Sequence, residues 1–340
     1  MTRGFRVIVV SDIHYGGEAE QARRDYECRA APSSIQRTLV RLFRRLIWLK
    51  DPFAHNHLLD RFLAAAGEGD LVVANGDYSC DSAFVGVMDD AAFASAAFAL
   101  GRLRDRFGAR LVAGFGDHEL GKQSLVGGLG GLRLRSYQRA VEALQLEACW
   151  WRDLGPWRLV GVVSSVLALP VFEPETLPAE RPRWRELREA HLEQIRSRLG
   201  APDDPQRLVL FCHDPTALPF LWNDAGVREV VHRVALTVIG HLHTPLLLRI
   251  SRLLAGLPEI RCLGNAVRRM STALRRARHW GAFNLRLCPS LAGCELLKDG
   301  GFAVLHLSPD ADSIRWEVVR LPWSVRATAA SAAPGAPADR

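Results

Sequence analysis

Six short apolar runs, each ending in a polar cluster, constrain this chain more than any other feature. Arg6–Val10 runs into Ser11-Asp12-Ile13-His14, Leu71–Ala74 into Asn75-Gly76-Asp77, and Arg110–Ala113 into Gly114-Phe115-Gly116-Asp117-His118-Glu119. Leu159–Val163 runs into Ser164-Ser165, Leu208–Phe211 into Cys212-His213-Asp214, and Leu236–Ile239 into Gly240-His241-Leu242-His243. Runs this short, rich in Val, Ile and Leu and without polar alternation, read as strands covered on both faces. Helical stretches at 57–66, 89–107, 133–147 and 184–199 alternate with them, which predicts an α/β fold. Phe302–Leu307 and Ile314–Leu321 read as a late antiparallel pair around Pro309-Asp310-Ala311-Asp312. Residues 324–340, rich in Ala, Pro and Ser, read as a disordered tail.

The chain's 340 residues are 48% hydrophobic and 24% charged, a globular balance that excludes disorder for most of its length. No apolar run approaches the ~20 residues that a bilayer requires. The apolar run after Arg6 is too short for a secretory leader. The seven cysteines are scattered with no Cys-x-x-Cys pair; Cys80, Cys212, Cys262 and Cys288 lie among apolar neighbours. Reduced thiols and a cytoplasmic location are expected.

The net charge of +7 is concentrated rather than uniform. Residues 23–50 carry eight basic and two acidic side chains, and residues 261–278 carry six arginines and no acid. Those segments sum to +12, so the remainder is −5. Only Lys50, Lys122 and Lys298 are lysine, a bias that a GC-rich genome produces without selection for polyanions. No aromatic–basic interleaving typical of single-strand stacking stands out, which makes nucleic acid an unfavoured partner.

The polar clusters hold the chemistry. Asp12 and His14 stand two apart after the first run, and His241 and His243 repeat that spacing after the last. In extended chain such residues point the same way and reach one ion. Imidazole and carboxylate together suit Mn, Fe, Zn or similar divalent ions. Seven candidates, Asp12, His14, Asp77, Asp117, His213, His241 and His243, exceed one ion's needs and suit two ions about 3.5–4 Å apart.

In order, Asp12-Ile13-His14, Gly76-Asp77, Gly116-Asp117-His118-Glu119, His213 and Gly240-His241-Leu242-His243 resemble the motifs of the calcineurin-like metallophosphoesterase superfamily. The resemblance implies a four-layer α/β/β/α sandwich of two mixed sheets, with a dinuclear metal site at the C-terminal ends of the strands. It implies that Asp12, His14 and His243 hold one ion, that Asp117, His213 and His241 hold the other, and that Asp77 bridges. The ions would be Mn, Fe, Zn or Mg. A metal-bridging hydroxide would attack phosphorus in line. His118 would steady the developing charge or protonate the leaving oxygen.

Two departures from the family pattern matter. The family's usual ligand where Asp117 stands is an asparagine. With Asp12, Asp77 and Asp117 at −3, two ions at +4 and hydroxide at −1, the centre is neutral; an asparagine would leave +1. A neutral centre is kinder to a singly charged diester or a pyrophosphate than to a dianionic monoester. Second, Cys80 stands where protein phosphatases of the superfamily carry a second Asp, and Asp81 is one position late to orient His118.

The expected function is hydrolysis of a phosphodiester or pyrophosphate bond in a nucleotide- or lipid-linked substrate. Relatives that cleave an acylated UDP-sugar in lipid A synthesis share that chemistry. The alternatives are a phosphomonoesterase, a nuclease or a non-catalytic metal-binding scaffold. One catalytic domain is expected over residues 1–323, with insertions near 15–70 and 244–280. Within the first, Ile35, Leu39, Leu42, Phe43, Leu46 and Leu49 form one helical face of segment 35–50, and Arg37, Arg41, Arg44 and Arg45 another. The pattern suits peripheral contact with an anionic membrane, and equally a helix packed through its apolar face with the arginines solvated. Residues 244–280 mix leucines with arginines and could wall an amphiphile's cavity. Gly127-Gly128-Leu129-Gly130-Gly131 reads as a loop or an anion nest. His55 and His57 read as surface or helix-start residues, and Cys80 and Cys212 as packing residues.

Overall fold

The runs become ten strands in two mixed five-stranded sheets. We describe them from a computed structural model covering residues 3–260 and 265–324. The expectations for Cys262 and for residues 325–340 of the tail lie outside the described residues. The first sheet has the order β10-β9-β1-β2-β3, with β1 Phe5–Val10, β2 Leu71–Ala74, β3 Leu111–Ala113, β9 Gly300–Leu307 and β10 Ile314–Leu321. The second has the order β4-β5-β6-β7-β8, with β4 Cys149–Leu154, β5 Trp157–Val162, β6 Arg207–Cys212, β7 Val234–Ile239 and β8 Leu285–Leu287. β1, β2 and β3 run parallel, as do β5 through β8; β9 is antiparallel to β1 and β10, and β4 to β5.

Successive strand residues point to opposite faces, and here both faces are buried. Val7, Val9, Leu71 and Val73 meet Leu159, Val209, Phe211, Leu236 and Val238 of the other sheet in the inter-sheet core, with Trp150 and Trp157 among them. The alternate residues Ile8, Val10, Val72 and Ala74 belong to the outer core with Leu58, Leu59, Phe62, Leu100 and Leu103 of helices His57–Ala65 and Asp90–Phe107. Val160, Val162, Leu208 and Leu210 do so with Trp184, Leu192 and Ile195 of helix Arg181–Leu199. The result is the four-layer α/β/β/α sandwich. Each fully buried Leu or Val contributes ~1.5–3 kcal/mol, which explains the uninterrupted apolar runs.

Two strands escape the run pattern. β4 is an edge strand with alternating burial and carries Arg152-Asp153; β8 has three residues. The stretch 133–147 is helical only over Leu134–Glu142, because Gln145 turns to φ +54° and Leu144 and Leu146 fold into the core. The loops after β1, β2, β3, β6 and β7 all leave from the C-terminal ends of parallel strands, where α/β sheets present their sites.

Candidate metal centre

The seven predicted ligands meet on those loops. Asp12, His14 and His243 form one group and Asp77, Asp117, His213 and His241 another, each with ligand atoms within 4.8 Å of one another. Asp77 faces both: its Oδ2 is 3.1 Å from His213 Nε2 and 3.8 Å from His14 Nε2. The route to this convergence differs from extended chain. Asp12, His14, Asp77, His241 and His243 have φ of +54°, +46°, +60°, +60° and +55°. Left-handed non-glycine residues cost of order 1–3 kcal/mol each and persist only where neighbours over-determine them. Those neighbours are visible. Asp12 N–H donates to Gly76 O at 3.1 Å, His14 N–H to Asp77 O at 2.9 Å and His241 N–H to Asp12 Oδ1 at 2.9 Å.

Glu119, part of the sequence motif but given no role there, is the brace. Its buried carboxylate accepts the N–H groups of Asp77, Tyr78 and Gly116 at 2.9, 2.8 and 2.7 Å, fastening two ligand loops together. Burial and the adjacent Asp77 raise it to about 7. Gly76 permits the close approach: at φ +97°, a Cβ there would lie 2.2 Å from Gly116 N.

The donor set fits divalent ions. His213 Nδ1 donates to Asn75 O at 2.6 Å, which leaves Nε2 without a proton in the neutral ring. That nitrogen is buried without a hydrogen-bond partner, facing Asp77 Oδ2, Asp117 Oδ1 at 3.4 Å and Asp12 Oδ1 at 3.9 Å; Asp12 Oδ2 is similarly orphaned. His14 and His243 have Nδ1 3.3 Å from Ser79 O and 3.1 Å from Gly293 O, and their Nε2 atoms lie 3.1 Å apart. Imidazole lone pairs aimed at each other and at carboxylates need cations between them, and carbonyl-bonded Nδ1 is the usual support of an Nε2 metal ligand. Without cations, protons compensate. Burial lowers His213, but Asp77 and Asp12 outweigh it and hold it well above its ordinary value. Burial likewise raises Asp117, and His241 and Lys122 outweigh it and hold it well below the carboxylate range. Burial and neighbouring His118 push His14 down to about 3.

His118 lies beside the cluster, its N–H bonded to Asp77 Oδ1 at 3.0 Å and its Nδ1 3.2 Å from Ser79 O. A backbone carbonyl orients this ring. Asp81 instead accepts Gly86 N–H at 2.8 Å and Lys122 N–H at 3.1 Å, so it shapes a loop. Sequence reasoning missed Lys122, whose Nζ lies 3.0 Å from Asp117 Oδ2. Its rarity in an arginine-rich chain, five residues after Asp117, was the available signal.

A cavity of about 370 Å³ opens onto Asp117, His118 and His241. Its far walls come from both insertion segments: Phe43, Arg44, Trp48 and Leu49 from residues 15–70, and Leu247, Arg269, Leu274 and Trp280 from residues 244–280. The Trp48 ring sits 4.2 Å from the His243 ring. The helix Ser34–Leu46 is turned the opposite way from a packed amphipathic helix. Ile35, Leu39, Leu42 and Leu46 are 72%, 59%, 48% and 59% exposed, whereas Val40 and Arg44 are buried. This overturns the alternative of an inward apolar face with all four arginines solvated; of that face only Phe43 and Leu49 turn inward, to the cavity. Arg44 reaches inward, its Nε donating to Leu49 O at 3.1 Å. Leu246, Ile250, Leu253 and Met270 of the second segment are exposed as well.

The glycine loop is not on the cavity wall. A Cβ at Gly127, Gly130 or Gly131 would strike the carbonyl of Ala30, Phe84 or Glu175, so these glycines serve close backbone packing. His57 begins its helix with Nδ1 near Ala54 O, and His55 stacks on Trp323 at 4.3 Å. Cys80 and Cys212 are buried free thiols.

The calcineurin-like phosphoesterase family model matches residues 5–245. Among solved structures, the chain is similar to a dimetal phosphatase from Danio rerio at 12% identity and TM-score 0.45, covering 95% of this chain and 100% of that one. It is similar to a metallophosphoesterase from Sphaerobacter thermophilus at 12% and 0.32, covering 93% and 88%. A third is purple acid phosphatase PPD1 from yellow lupin, Lupinus luteus, at 12% and 0.33, covering 72% and 38%. No curated protein matches the chain. With the family model spanning every ligand loop from Asp12 to His243, the protein belongs to the calcineurin-like phosphoesterase family and is a metal-dependent phosphoric ester hydrolase with a dinuclear site.

Proposed function

We propose that the protein hydrolyses a phosphodiester or pyrophosphate bond of a lipid-linked substrate at an anionic membrane surface. The observation that carries this is the cavity, whose apolar walls join the ligand cluster to an outward apolar face on the same helix. Arg37, Arg41 and Arg45 are exposed beside that face, and the helix has no acidic residue, so its charge complements anionic headgroups. Arg44 and Arg269 line the cavity in addition to the ligand cluster, which suits a second anionic group, as a pyrophosphate brings. Charge at the centre itself does not favour a diester, because Lys122 restores the unit that Asp117 removes.

In this reading Asp12, His14 and His243 would hold one ion, Asp117, His213 and His241 would hold the other, and Asp77 would serve both. Bound divalent ions supply Lewis acidity and a nucleophile at neutral pH. The protein's own residues do the rest. Arg44 and Arg269 hold the non-reacting phosphate. The cavity's apolar wall keeps the chain end of the substrate out of water. His118, with Nδ1 fixed on Ser79 O, keeps Nε2 free to hold the proton that the leaving oxygen takes as its bond to phosphorus breaks. Residues 1–323 act as one catalytic domain, with 15–70 and 244–280 as substrate-shaping insertions. The free thiols of Cys28, Cys80, Cys149, Cys212, Cys288 and Cys294 suit a reducing compartment, and hence peripheral attachment from the cytoplasmic side.

The test is hydrolysis by metal-stripped protein resupplied with Mn²⁺. Bis-p-nitrophenyl phosphate is compared with p-nitrophenyl phosphate, and a prenyl pyrophosphate ester in mixed micelles with its short-chain analogue. Metal-dependent turnover favouring the diester and the long-chain pyrophosphate supports the proposal. Preference for the soluble monoester, indifferent to micelles, refutes it.

A further inference from the structure

The two oxygens of the Asp117 carboxylate face different surroundings. Oδ1 points into the ligand cluster, 2.9 Å from His241 Nδ1 and 3.4 Å from His213 Nε2. Oδ2 points out of it, 3.0 Å from Lys122 Nζ. Lys122 reaches this place from the cavity wall, while its own backbone N–H is pinned to Asp81 Oδ2 at 3.1 Å. Asp81 is in turn bonded to Gly86 N–H, so the lysine's origin is fixed by a buried carboxylate on another loop. Lys122 is one of three lysines in a chain whose other basic residues are arginine. An ammonium is a compact point charge that engages one oxygen, whereas a guanidinium would tend to engage both.

We propose that Lys122 is a positioning residue for the second ion, acting with Asp117 as one unit. The ammonium occupies Oδ2, so the carboxylate offers the ion a single oxygen. It also cancels the carboxylate's charge, so the pair presents the ion with the donor count and net charge of a neutral carboxamide. Adding Lys122 to the sum over Asp12, Asp77, Asp117, two ions and hydroxide changes the total from zero to +1. The inference rests on reading Asp117 as a ligand, and the experiment separates the two claims.

Mn²⁺ binding to metal-stripped protein is followed by titration calorimetry, with the electron paramagnetic signal of coupled Mn²⁺ pairs as a second readout. In Asp117→Asn, Lys122 faces the second ion uncompensated, and that ion binds about tenfold or more weaker. In Lys122→Met, the carboxylate is left unpaired, and the ion binds about tenfold tighter. Asp117→Asn/Lys122→Met returns to within about threefold of wild type, whereas Lys122→Arg, whose guanidinium engages both carboxylate oxygens, weakens binding of the second ion. If Lys122→Met and Lys122→Gln both change the affinity less than about twofold, whether added to the wild type or to the Asp117→Asn variant, the unit does not exist. If Asp117→Ala still binds two ions as wild type does, Asp117 is no ligand, and the underlying reading fails instead.

Discussion

Replacing Leu39 and Leu46 with Ser tests whether the outward face of helix Ser34–Leu46 meets lipid. Both side chains are 59% exposed, on one stripe with Ile35 and Leu42. Full burial of a Leu side chain contributes ~2 kcal/mol, so the exposed fraction leaves ~1.2 kcal/mol each to be gained on insertion. The pair therefore accounts for ~2.4 kcal/mol, or about 50-fold in partitioning. Substitutions at exposed positions move folding stability by no more than about 0.5 kcal/mol. The assay is co-sedimentation with vesicles of phosphatidylcholine and phosphatidylglycerol, beside phosphatidylcholine alone, with urea denaturation of both proteins in parallel. Leu39→Ser/Leu46→Ser should lose most vesicle binding, keep its stability and hydrolyse a soluble diester at the wild-type rate. Added salt should weaken wild-type binding, because Arg37, Arg41 and Arg45 flank the stripe. Unchanged vesicle binding by the double variant would refute the reasoning. So would a stability loss of several kcal/mol, which would show that the stripe is covered by protein.

Three further outcomes are expected. His118→Gln should lower kcat by roughly 10²–10⁴-fold with two ions still bound, measured by steady-state kinetics and metal analysis; an unchanged kcat removes His118 from the chemistry. Gly76→Ala places a Cβ 2.2 Å from Gly116 N and 2.5 Å from its Cα at φ +97°. It should cost ~2–4 kcal/mol in urea denaturation and weaken Mn²⁺ binding, because the Asp77 and Asp117 loops separate. His191, buried with Nε2 accepting Val163 N–H at 3.0 Å, is pushed down to about 4 by burial. Its neutral form stabilises the fold above the unfolded value near 6.5, and that stability is lost as pH falls through the window down to about 4. From pH ~7 to ~5 the wild type should lose about 2 kcal/mol more than His191→Gln does, and equal losses would contradict the assignment.

The candidate ligand set was legible because it is local chemistry. A divalent ion selects imidazole and carboxylate, and each sits immediately after an apolar run that only a doubly covered strand accounts for. The sheet core was legible for the same reason, since both faces of β1, β2, β5, β6 and β7 are apolar. β4 was hidden because an edge strand with alternating burial resembles a polar loop, and β8 because three residues hold no pattern.

The sequence by itself determined which side chains can hold the ions, their order along the chain, and that helix 34–46 has two unlike faces. Only the tertiary structure decided which face is covered. The preceding helix Tyr26–Ala30 packs on the side bearing Arg44, whose guanidinium lies over the Tyr26 ring, and the leucine stripe is left outward. It alone turned five candidate ligands into left-handed backbone, since cross-loop hydrogen bonds and not local preference hold that strain. It alone set His118 against the carbonyl of Ser79, because backbone atoms carry no signature of residue type. And it placed Lys122 on Asp117, a contact made by the fold of a loop that sets a positive charge beside a candidate ligand.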